Sequence, residues 1–470
     1  MHDEKIVLQI AEHHKKKEKK QTGEIGITWW QLTLIGIGSI VGAGFFLGIS
    51  VAIKLTGPSA IIAFLIAGLI AYIAFNSLAE MKINDPEIGS FRDYARQAFG
   101  DNVGFISGWM FWIAGVLIMS SEVTALSVFS RYWFPEIQLW IFSVIYSCLG
   151  LGINLLGVKD FGKIESFFAI VKIAALVSFL IFGLLFIFGY ASHQEAAAGA
   201  SVISLSALNW FPQGITGLWS SMIFALFPFA GVAVVGAAAK ELKKSESLTK
   251  AINSLMLALT FLYVASIAMI LKMVYWDQIQ VSQSPFITAL SEFHLPYLGS
   301  IFNVIIISAA FSTFVGALFA ITNVLLSLAK DHEAPKIVLK KDKRGVNVIA
   351  LLIGTSGLFI TIILSIVLPS TIYEYLATSA GVLLIGNWII ILASQIKNRK
   401  NYSINSATAG KKFGMLFAPY SSYLGIFLII LTLIGVSFNP THRMGLFVSI
   451  GIVVIISIAS LKVKSSNKID

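Results

Sequence analysis

The sequence predicts an all-α polytopic membrane protein with about twelve transmembrane helices. Hydrophobic residues make up 57% of the 470 residues, charged residues make up 12%, and the mean hydropathy is +0.83. These values lie far outside the range of soluble domains. The apolar runs are continuous rather than alternating, which excludes a transmembrane β-barrel. Glycine or proline interrupts two of the runs at corresponding places, which indicates two repeats that each contain a broken helix.

The predicted spans are apolar stretches long enough to cross the hydrocarbon core of a bilayer, which takes about 20 residues in a helix. In chain order they cover residues 28–54, 58–80, 103–129, 138–156, 163–189, 213–239, 250–275, 297–329, 346–368, 371–394, 419–437 and 443–462. We expect a basic cytoplasmic tail, a transmembrane domain and a closing cytoplasmic tail at residues 1–25, 26–463 and 464–470. Within the transmembrane domain, the two repeats and the extra helices cover about residues 28–189, 213–394 and 419–462.

The 34 Lys and Arg residues are unevenly distributed. All but five lie in the tails and in every second loop, whereas the alternate loops contain only Arg131 and Arg443. Positively charged loops face the cytoplasm, so the sequence predicts a multi-pass protein of the cell membrane with both termini cytoplasmic. The net charge of +10 therefore indicates topology and attraction to membrane lipid rather than nucleic-acid binding.

The first span contains Gly36, Gly38, Gly42 and Gly44 within nine residues. Each glycine costs about 1 kcal/mol relative to alanine inside a helix, so the cluster predicts an unwound segment at membrane depth. Unwound backbone in a membrane is tolerated only where it lines a cavity or binds something. The alternative interpretation is that the glycines allow close helix packing.

The loop after the second span predicts an amphipathic helix on the inner surface. Phe91, Tyr94, Ala95 and Phe99 alternate with charged residues at helical spacing between residues 80 and 100.

The sixth span carries Pro228, Gly231 and Gly236 in its middle. Proline removes an amide and clashes with the preceding turn, so we expect a second helix break. The two broken spans are five spans apart. Because five is odd, the second repeat must run with the opposite membrane orientation, as in an inverted repeat.

Two broken helices offer two poles for a ligand. The freed amides of residues 41–44, at the start of a half-helix, suit a carboxylate. Carbonyls near Ile40 and at residues 227–230 suit an ammonium group. Poles a few ångströms apart match the backbone of an α-amino acid, so the sequence predicts a site for such a molecule at the membrane midplane.

Two ionisable residues lie deep in predicted spans. Lys172 lies roughly 13 Å from the start of the fifth span, where an ammonium costs at least ~2.5 kcal/mol, so we expect it to find oxygen partners or to lose its proton. Snorkelling to the inner interface is the alternative. Glu122, in the middle of the third span, is a candidate proton carrier, specificity determinant or helix–helix hydrogen-bond partner. Ser312 and Thr313, in the eighth span, rank below Lys172, because most membrane hydroxyls bond to their own helix.

The sequence contains no clustered His and Cys pattern for a metal, no nucleotide-binding loop and no nucleophile motif. We therefore predict neither an enzyme nor a cofactor. The single cysteine, Cys148, cannot form an internal disulfide.

A series of motifs runs in order from about residue 26 to about residue 437. They are G-S-I-V-G-A-G-F-F-L-G, G-S-F-R-D-Y-A, G-F-I-S-G-W-M-F-W, Glu122, V-K-I-A-A-L, F-A-G-V-A-V-V-G-A-A-A-K-E-L-K, L-A-K-D-H-E-A-P-K and Y-L-A-T-S-A-G-V. In these motifs the chain resembles an amino-acid permease of the amino acid-polyamine-organocation (APC) superfamily, in its bacterial amino-acid transporter branch. The resemblance implies a LeuT-like fold, in which a five-plus-five inverted repeat with broken helices 1 and 6 gives alternating access to a central site.

The resemblance also implies roles for particular residues. Ala43 and Gly44 would offer amides to the substrate carboxylate, and Ile40, Phe227 and Ala230 would offer carbonyls to its ammonium group. Phe227 is in addition a candidate gate. The full set of candidate substrate-binding residues is Ile40, Gly42, Ala43, Gly44, Phe227, Ala230 and Gly231.

Lys172 matches a lysine whose amine, in similar proton-coupled members, stands where sodium-coupled relatives hold an ion. This match favours the proton over sodium as coupling ion, with Glu122 and Ser312 as further proton-coupling candidates. Many relatives have F-x-G-x-E in span 6, whereas this chain has Ala233 in place of the glutamate. Glu241 follows the family pattern, but the usual proline after it is absent.

The resulting hypothesis is a secondary active transporter that imports neutral α-amino acids by proton symport. An amino-acid exchanger and a carrier of cationic amino acids, which Glu122 would serve, remain alternatives. A non-transporting amino-acid receptor is the alternative from a different class. The expected partners are the amino-acid substrate and membrane lipid, and the sequence does not identify a protein partner.

Overall fold

The computed structural model describes residues 27–86, 88, 90–156, 161–188, 209–231, 242, 247–291, 296–369, 371–404 and 414–466. Several expectations lie outside these residues. They concern the whole basic tail at residues 1–25, the second half of the sixth span with Ala233 and Gly236, Glu241, and the last residues of the closing tail.

The described chain is almost wholly α-helical. Its helices are α1 (Trp29–Ile40), α2 (Ala43–Phe46), α3 (Gly48–Thr56), α4 (Ala60–Asn84), α5 (Phe91–Phe99), α6 (Asp101–Ser130), α7 (Leu139–Leu155), α8 (Phe161–Ile187), α9 (Gly214–Leu226), α10 (Ser247–Met273), α11 (Pro285–Ser291), α12 (Pro296–Lys330), α13 (Val348–Val367), α14 (Ile372–Ile404), α15 (Tyr420–Val436) and α16 (Pro440–Ser466). A single parallel β-bridge among the described residues joins Ile27 and Leu242.

Each of the predicted spans contains a described helix, so the expected all-α polytopic fold is confirmed. Among the described residues, 8 helical stretches have the length and composition to cross a membrane. Shorter apolar helices occupy the fourth, sixth and eleventh spans.

The first span is broken as predicted. Gly42 is required there because it has no side chain, and not because of its backbone conformation. Helix α1 ends at Ile40, Val41 and Gly42 are extended, and α2 begins at Ala43. Gly42 has φ −146°, a value open to any residue. A Cβ at this position, however, would lie 2.7 Å from Glu122 Oε1 and 2.8 Å from Thr313 Oγ1. Gly42 therefore allows a close approach of backbone to side chains.

The sixth span also breaks where predicted. Helix α9 ends at Leu226, and a turn of 3₁₀-helix, Phe227–Phe229, follows with Pro228 at its centre. The Pro228 carbonyl accepts a 3.2 Å hydrogen bond from the Tyr263 hydroxyl of α10. A neighbouring helix thus satisfies backbone that the break has freed.

The predicted amphipathic helix is α5, and its buried face contacts the end of α12. Arg92 is only 3% exposed and pairs with Glu333 at 2.6 Å and with Asp331. Arg96 pairs with Glu333 at 2.5 Å. These ion pairs fix α5 to the segment that follows α12.

The long helix α6 lies in the centre of the protein, where it packs against α12 and α14, and α8 packs against α1. Helices α15 and α16, outside the repeat, pack on α9 and α14 respectively. The break in the first span is consequently enclosed by protein on all sides, and residues 43–53 are buried throughout.

Candidate functional site

The amides at the start of α2 are the expected carboxylate donors, and one of them has a protein partner. The Ala43 amide donates a 2.9 Å hydrogen bond to Glu122 Oε2. Glu122 is 2% exposed and lies in the central part of α6. A carboxylate of the protein therefore stands where the sequence predicts the carboxylate of a substrate.

One carbonyl in the last turn of α1 accepts a hydrogen bond from a cation. Lys172 of α8 is fully buried, and its Nζ donates hydrogen bonds to the Gly38 carbonyl at 2.5 Å and to Thr313 Oγ1 at 2.9 Å. Of the two expectations for this lysine, burial with oxygen partners describes its position and snorkelling does not. The ammonium satisfies a carbonyl that the break of the helix leaves without an intrahelical donor.

Thr313 connects this lysine to the unwound residues. Its hydroxyl lies 3.1 Å from the Val41 carbonyl and 3.1 Å from the Ala309 carbonyl of its own helix, as well as accepting from Lys172. A hydroxyl can donate one hydrogen bond and accept two, so Thr313 is suited to relay between an ammonium and a carbonyl.

The two breaks meet each other directly. A Cβ on Gly44 would lie 3.1 Å from the ring of Phe227, and a Cβ on Gly231 would overlap the side chain of Ile40. The Phe227 carbonyl accepts from the Ala230 amide at 3.1 Å, within its own turn. A carbonyl has two lone pairs, so this one retains capacity for a second donor.

Two tyrosines from other helices contact residues of the broken segments. The ring of Tyr263 stacks on Phe45 at 3.9 Å and meets Phe229 edge-on at 5.2 Å, so it bridges both breaks. Tyr373, in the first turn of α14, donates a 3.2 Å hydrogen bond to the Ala43 carbonyl. Ala43 is thus contacted through its amide by α6 and through its carbonyl by α14.

Comparison with known proteins identifies the family. A family model described as amino acid permease matches residues 31–468. The chain belongs to the amino acid permease family. This permease is 39% identical to the uncharacterized transporter YcgH of Bacillus subtilis over 94% of its own length and 96% of that protein. It is 32% identical to the gamma-aminobutyric acid permease of the same organism, over 93% of each chain.

A solved structure supports the same architecture. The crystal structure of MhsT in complex with L-phenylalanine superposes with a TM-score of 0.60, at 16% identity, over 87% of the permease and 99% of MhsT. The fold is therefore LeuT-like, with broken helices in the first and sixth spans. The family and its relatives are membrane permeases, not enzymes, and the permease is an integral membrane protein related to amino-acid transporters. Within the described chain, no group of three His, Cys, Asp or Glu side chains is placed to hold a metal ion.

The structure brings most of the predicted site residues of the permease together. Ile40, Gly42, Ala43, Gly44, Phe227, Gly231, Glu122 and Lys172 lie around the two breaks, and Ala230 follows the turn in the sixth span. Ser312 is buried in α12 beside them, and its neighbour Thr313 accepts a hydrogen bond from Lys172.

Sequence reasoning missed two residues of this site and ranked a third too low. Tyr373 and Tyr263 carry no sequence signal beyond an aromatic ring in a predicted span, since tyrosine is common in such spans near the interface. Thr313 is one of two adjacent hydroxyl residues in the eighth span, and neighbouring positions on a helix differ by about 100° in direction, so only the tertiary structure shows that Thr313 faces the lysine.

Proposed function

We propose that the permease imports neutral α-amino acids by proton symport, with the Ala43 amide as the shared binding point of Glu122 and the substrate carboxylate. The observation that carries the proposal is the 2.9 Å hydrogen bond from the Ala43 amide to Glu122. Two carboxylates that share one donor repel each other when both are ionised, so the substrate binds well only after Glu122 has taken up a proton.

Protonation changes what Glu122 offers the amide. An ionised carboxylate accepts a charge-assisted hydrogen bond, which is roughly twice as strong as a neutral one. After protonation the bond weakens, and the amides of Ala43 and Gly44 become accessible to the incoming substrate carboxylate. Return of Glu122 to its ionised form then favours substrate release. This exchange links one proton to one substrate.

Lys172 supports the proton, rather than sodium, as the coupling ion. Its ammonium group is bonded to the Gly38 carbonyl and the Thr313 hydroxyl. Carbonyl and hydroxyl oxygens of this kind are typical sodium ligands. Here the ammonium group of Lys172 is already bonded to both oxygens. We infer that Lys172 replaces a metal ion as a fixed or proton-exchanging charge.

We propose a neutral substrate side chain because the described part of the site offers no second carboxylate to pair with a cationic one. Glu122 is engaged by the Ala43 amide and is directed at the substrate backbone site. The family glutamate of the sixth span is replaced by Ala233 in this sequence. Without a second carboxylate at that position, a cationic side chain lacks a partner in a site where unpaired charge is costly.

The direction of transport depends on how the permease is oriented across the membrane. We infer from the excess of Lys and Arg in alternate loops that both termini are cytoplasmic, and import then means movement towards the side that carries residues 81–100 and 330–345. MhsT was solved with L-phenylalanine, an α-amino acid with a neutral side chain, which agrees with this substrate class.

The experiment is uptake into proteoliposomes that contain the purified full-length permease. A panel of labelled standard amino acids is assayed with and without an imposed pH gradient, acidic outside. The proposal expects concentrative uptake of neutral amino acids that collapses when the gradient is removed. Exchange of internal for external amino acid without any effect of the gradient would instead identify an exchanger. Binding without movement into vesicles would identify a receptor.

A further inference from the structure

A second buried polar pair lies outside the site described above. His442, near the start of α16, is fully buried, and its Nε2 lies 3.2 Å from Glu374 Oε2 in the first turn of α14. His442 Nδ1 has no hydrogen-bond partner among the described residues. Because Nδ1 meets no donor or acceptor, the pair is best satisfied when Nε2–H donates to the Glu374 carboxylate.

The pair is adjacent to a residue of the substrate site. Glu374 follows Tyr373 directly, and the Tyr373 hydroxyl bonds the Ala43 carbonyl at 3.2 Å. Tyr373 also lies close to the next turn of the first span, since a Cβ on Gly48 would be 3.1 Å from its hydroxyl oxygen. Any movement of the first turn of α14 consequently moves the hydroxyl that holds the unwound segment.

The same histidine contacts the other broken span. The His442 ring lies 4.9 Å from the ring of Phe224 in α9, one turn before Phe227. The helices α15 and α16 are fixed to both neighbours, because Ser220 of α9 donates to the Gly435 carbonyl at 3.1 Å and Ser379 of α14 donates to the Gly445 carbonyl at 3.2 Å. His442 thus stands where α16 meets the first turn of α14 and the first half of the broken sixth span.

Few other groups compete for this histidine. From α14 the facing charged group is Glu374, and the Tyr373 hydroxyl is directed to Ala43. From α9 the facing side chain is the apolar Phe224. On α16 itself, Arg443 directs its Nε to the Ser437 carbonyl at 3.0 Å. Glu374 is 18% exposed, so the bond can open without leaving its carboxylate fully buried.

We propose that His442 and Glu374 are positioning residues that hold Tyr373 on the Ala43 carbonyl and thereby keep the unwound segment closed. This latch, defined by Tyr373, Glu374 and His442, gives the extra helices a role in the opening of the site. The functional consequence rests on the proposed transport function, whereas the latch itself is a property of the unliganded protein. When the His442–Glu374 bond opens, α14 releases Tyr373, and the Ala43 carbonyl loses this donor while it keeps the 2.9 Å hydrogen bond from the Leu47 amide.

The test is hydrogen–deuterium exchange of the purified, unliganded permease in nanodiscs, followed by mass spectrometry of peptides that cover residues 41–47. We expect His442→Leu and Tyr373→Phe each to raise the exchange rate about fivefold, the effect of losing one intramolecular hydrogen bond. The double variant should exchange no faster than either single variant, because both changes break the same linkage. His442→Gln retains an N–H donor and should restore the wild-type rate.

Ser449→Ala is the matched control. Ser449 donates a 3.1 Å hydrogen bond to the Ser379 carbonyl, so it joins the same two helices further from Tyr373. We expect no change at residues 41–47 in this variant. If His442→Leu yields no folded protein, Glu374→Ala replaces it in the same cycle, since Glu374 is partly exposed.

Three results would overturn the latch. The first is a double variant in which the effects of His442→Leu and Tyr373→Phe on the exchange rate multiply. The second is an exchange rate in His442→Gln that stays above that of the wild type. The third is an equal rise of the exchange rate in Ser449→Ala. Uptake of the best substrate of the panel is measured in parallel, with a fall in KM of about fivefold expected for His442→Leu, because the segment that the latch keeps closed then opens more readily. If the wild type transports no amino acid, the proposed function fails, yet the exchange measurement still decides the latch.

Discussion

The backbone amide of Ala43 and the carboxylate of Glu122 are joined by a 2.9 Å hydrogen bond across 79 residues of sequence. Ala43 is the first residue of a half-helix, where the amides and the helix dipole favour an anion. The Glu122 carboxylate supplies that anion from within the protein. In the proposed mechanism, the substrate carboxylate and the ionised carboxylate of Glu122 are alternatives at this one backbone donor.

Substitution of the glycines in the first break tests the close approach at the site. In Gly42→Ala, the added methyl group would lie 2.7 Å from Glu122 and 2.8 Å from Thr313, so we expect loss of amino-acid binding with normal insertion into the membrane. Gly44→Leu should do the same by displacing Phe227, which is 3.1 Å from a Cβ there. Binding of the labelled panel amino acid and the amount of protein in the membrane are measured together.

The control for these glycine variants is Gly451→Ala in α16, where a Cβ meets no atom within 4 Å. This variant should bind normally and gain slightly in stability, because alanine favours helix over glycine. Normal amino-acid binding by Gly44→Leu would contradict the proposed site.

Lys172→Ala tests the role of the buried cation. The change leaves the Gly38 carbonyl and the Thr313 hydroxyl without their charged donor, and hydrogen bonds to charged groups contribute about 1.5–3 kcal/mol. We expect uptake driven by a pH gradient to fall by at least about tenfold. Lys54→Ala, which removes an exposed lysine bonded to the Asp277 carbonyl, should retain uptake. Full gradient-driven uptake in Lys172→Ala would exclude it as a coupling group.

Thr313 separates the effect of a hydroxyl from that of side-chain size. Thr313→Val keeps the shape but removes the oxygen that accepts from Lys172 and faces the Val41 carbonyl, so we expect about a tenfold loss of uptake. Thr313→Ser keeps the hydroxyl and should retain most of the activity. The initial rates of uptake are compared in the same vesicles, and equal rates for valine and serine would show that the hydroxyl has no role.

Arg92 provides a stability test away from the substrate site. Its guanidinium is buried between Asp331 and Glu333, and removal of one partner from a buried ion pair typically costs about 3–5 kcal/mol. Arg92→Ala should lower the melting temperature of the purified permease in detergent. Arg131→Ala, at an exposed position where arginine bonds only the Pro135 carbonyl among the described residues, should melt like the wild type.

The helix breaks and the depth of Lys172 could be predicted because they depend on local composition. Glycine, proline and a lysine in an apolar run are conspicuous in any single sequence, and the membrane penalises each of them in a known way. The reason for Gly42 could not be predicted in the same way. Its dihedral angles suit any residue, and only the proximity of Glu122 and Thr313 explains why a side chain is excluded.

For a related reason, the sequence does not predict which residues contact the unwound segment. Tyr373 contacts Ala43 across 330 residues, and Thr313 contacts Val41 across 272 residues. Such contacts depend on which faces of α12 and α14 point towards the first span. An apolar helix without a polar face gives no indication of its orientation about its own axis. For the same reason the sequence does not predict that Thr313 contacts Lys172.

The most direct test of the account is Glu122→Gln, which imitates the protonated side chain at every pH. Counterflow of labelled amino acid between vesicles preloaded with the same amino acid and the outside medium is measured beside accumulation driven by a pH gradient. We predict that counterflow persists at a rate within about threefold of the wild type, because the neutral amide leaves the Ala43 donor accessible, while accumulation driven by the gradient is lost. Concentrative uptake by Glu122→Gln at the wild-type level would contradict the proposed competition between Glu122 and the substrate for the Ala43 amide.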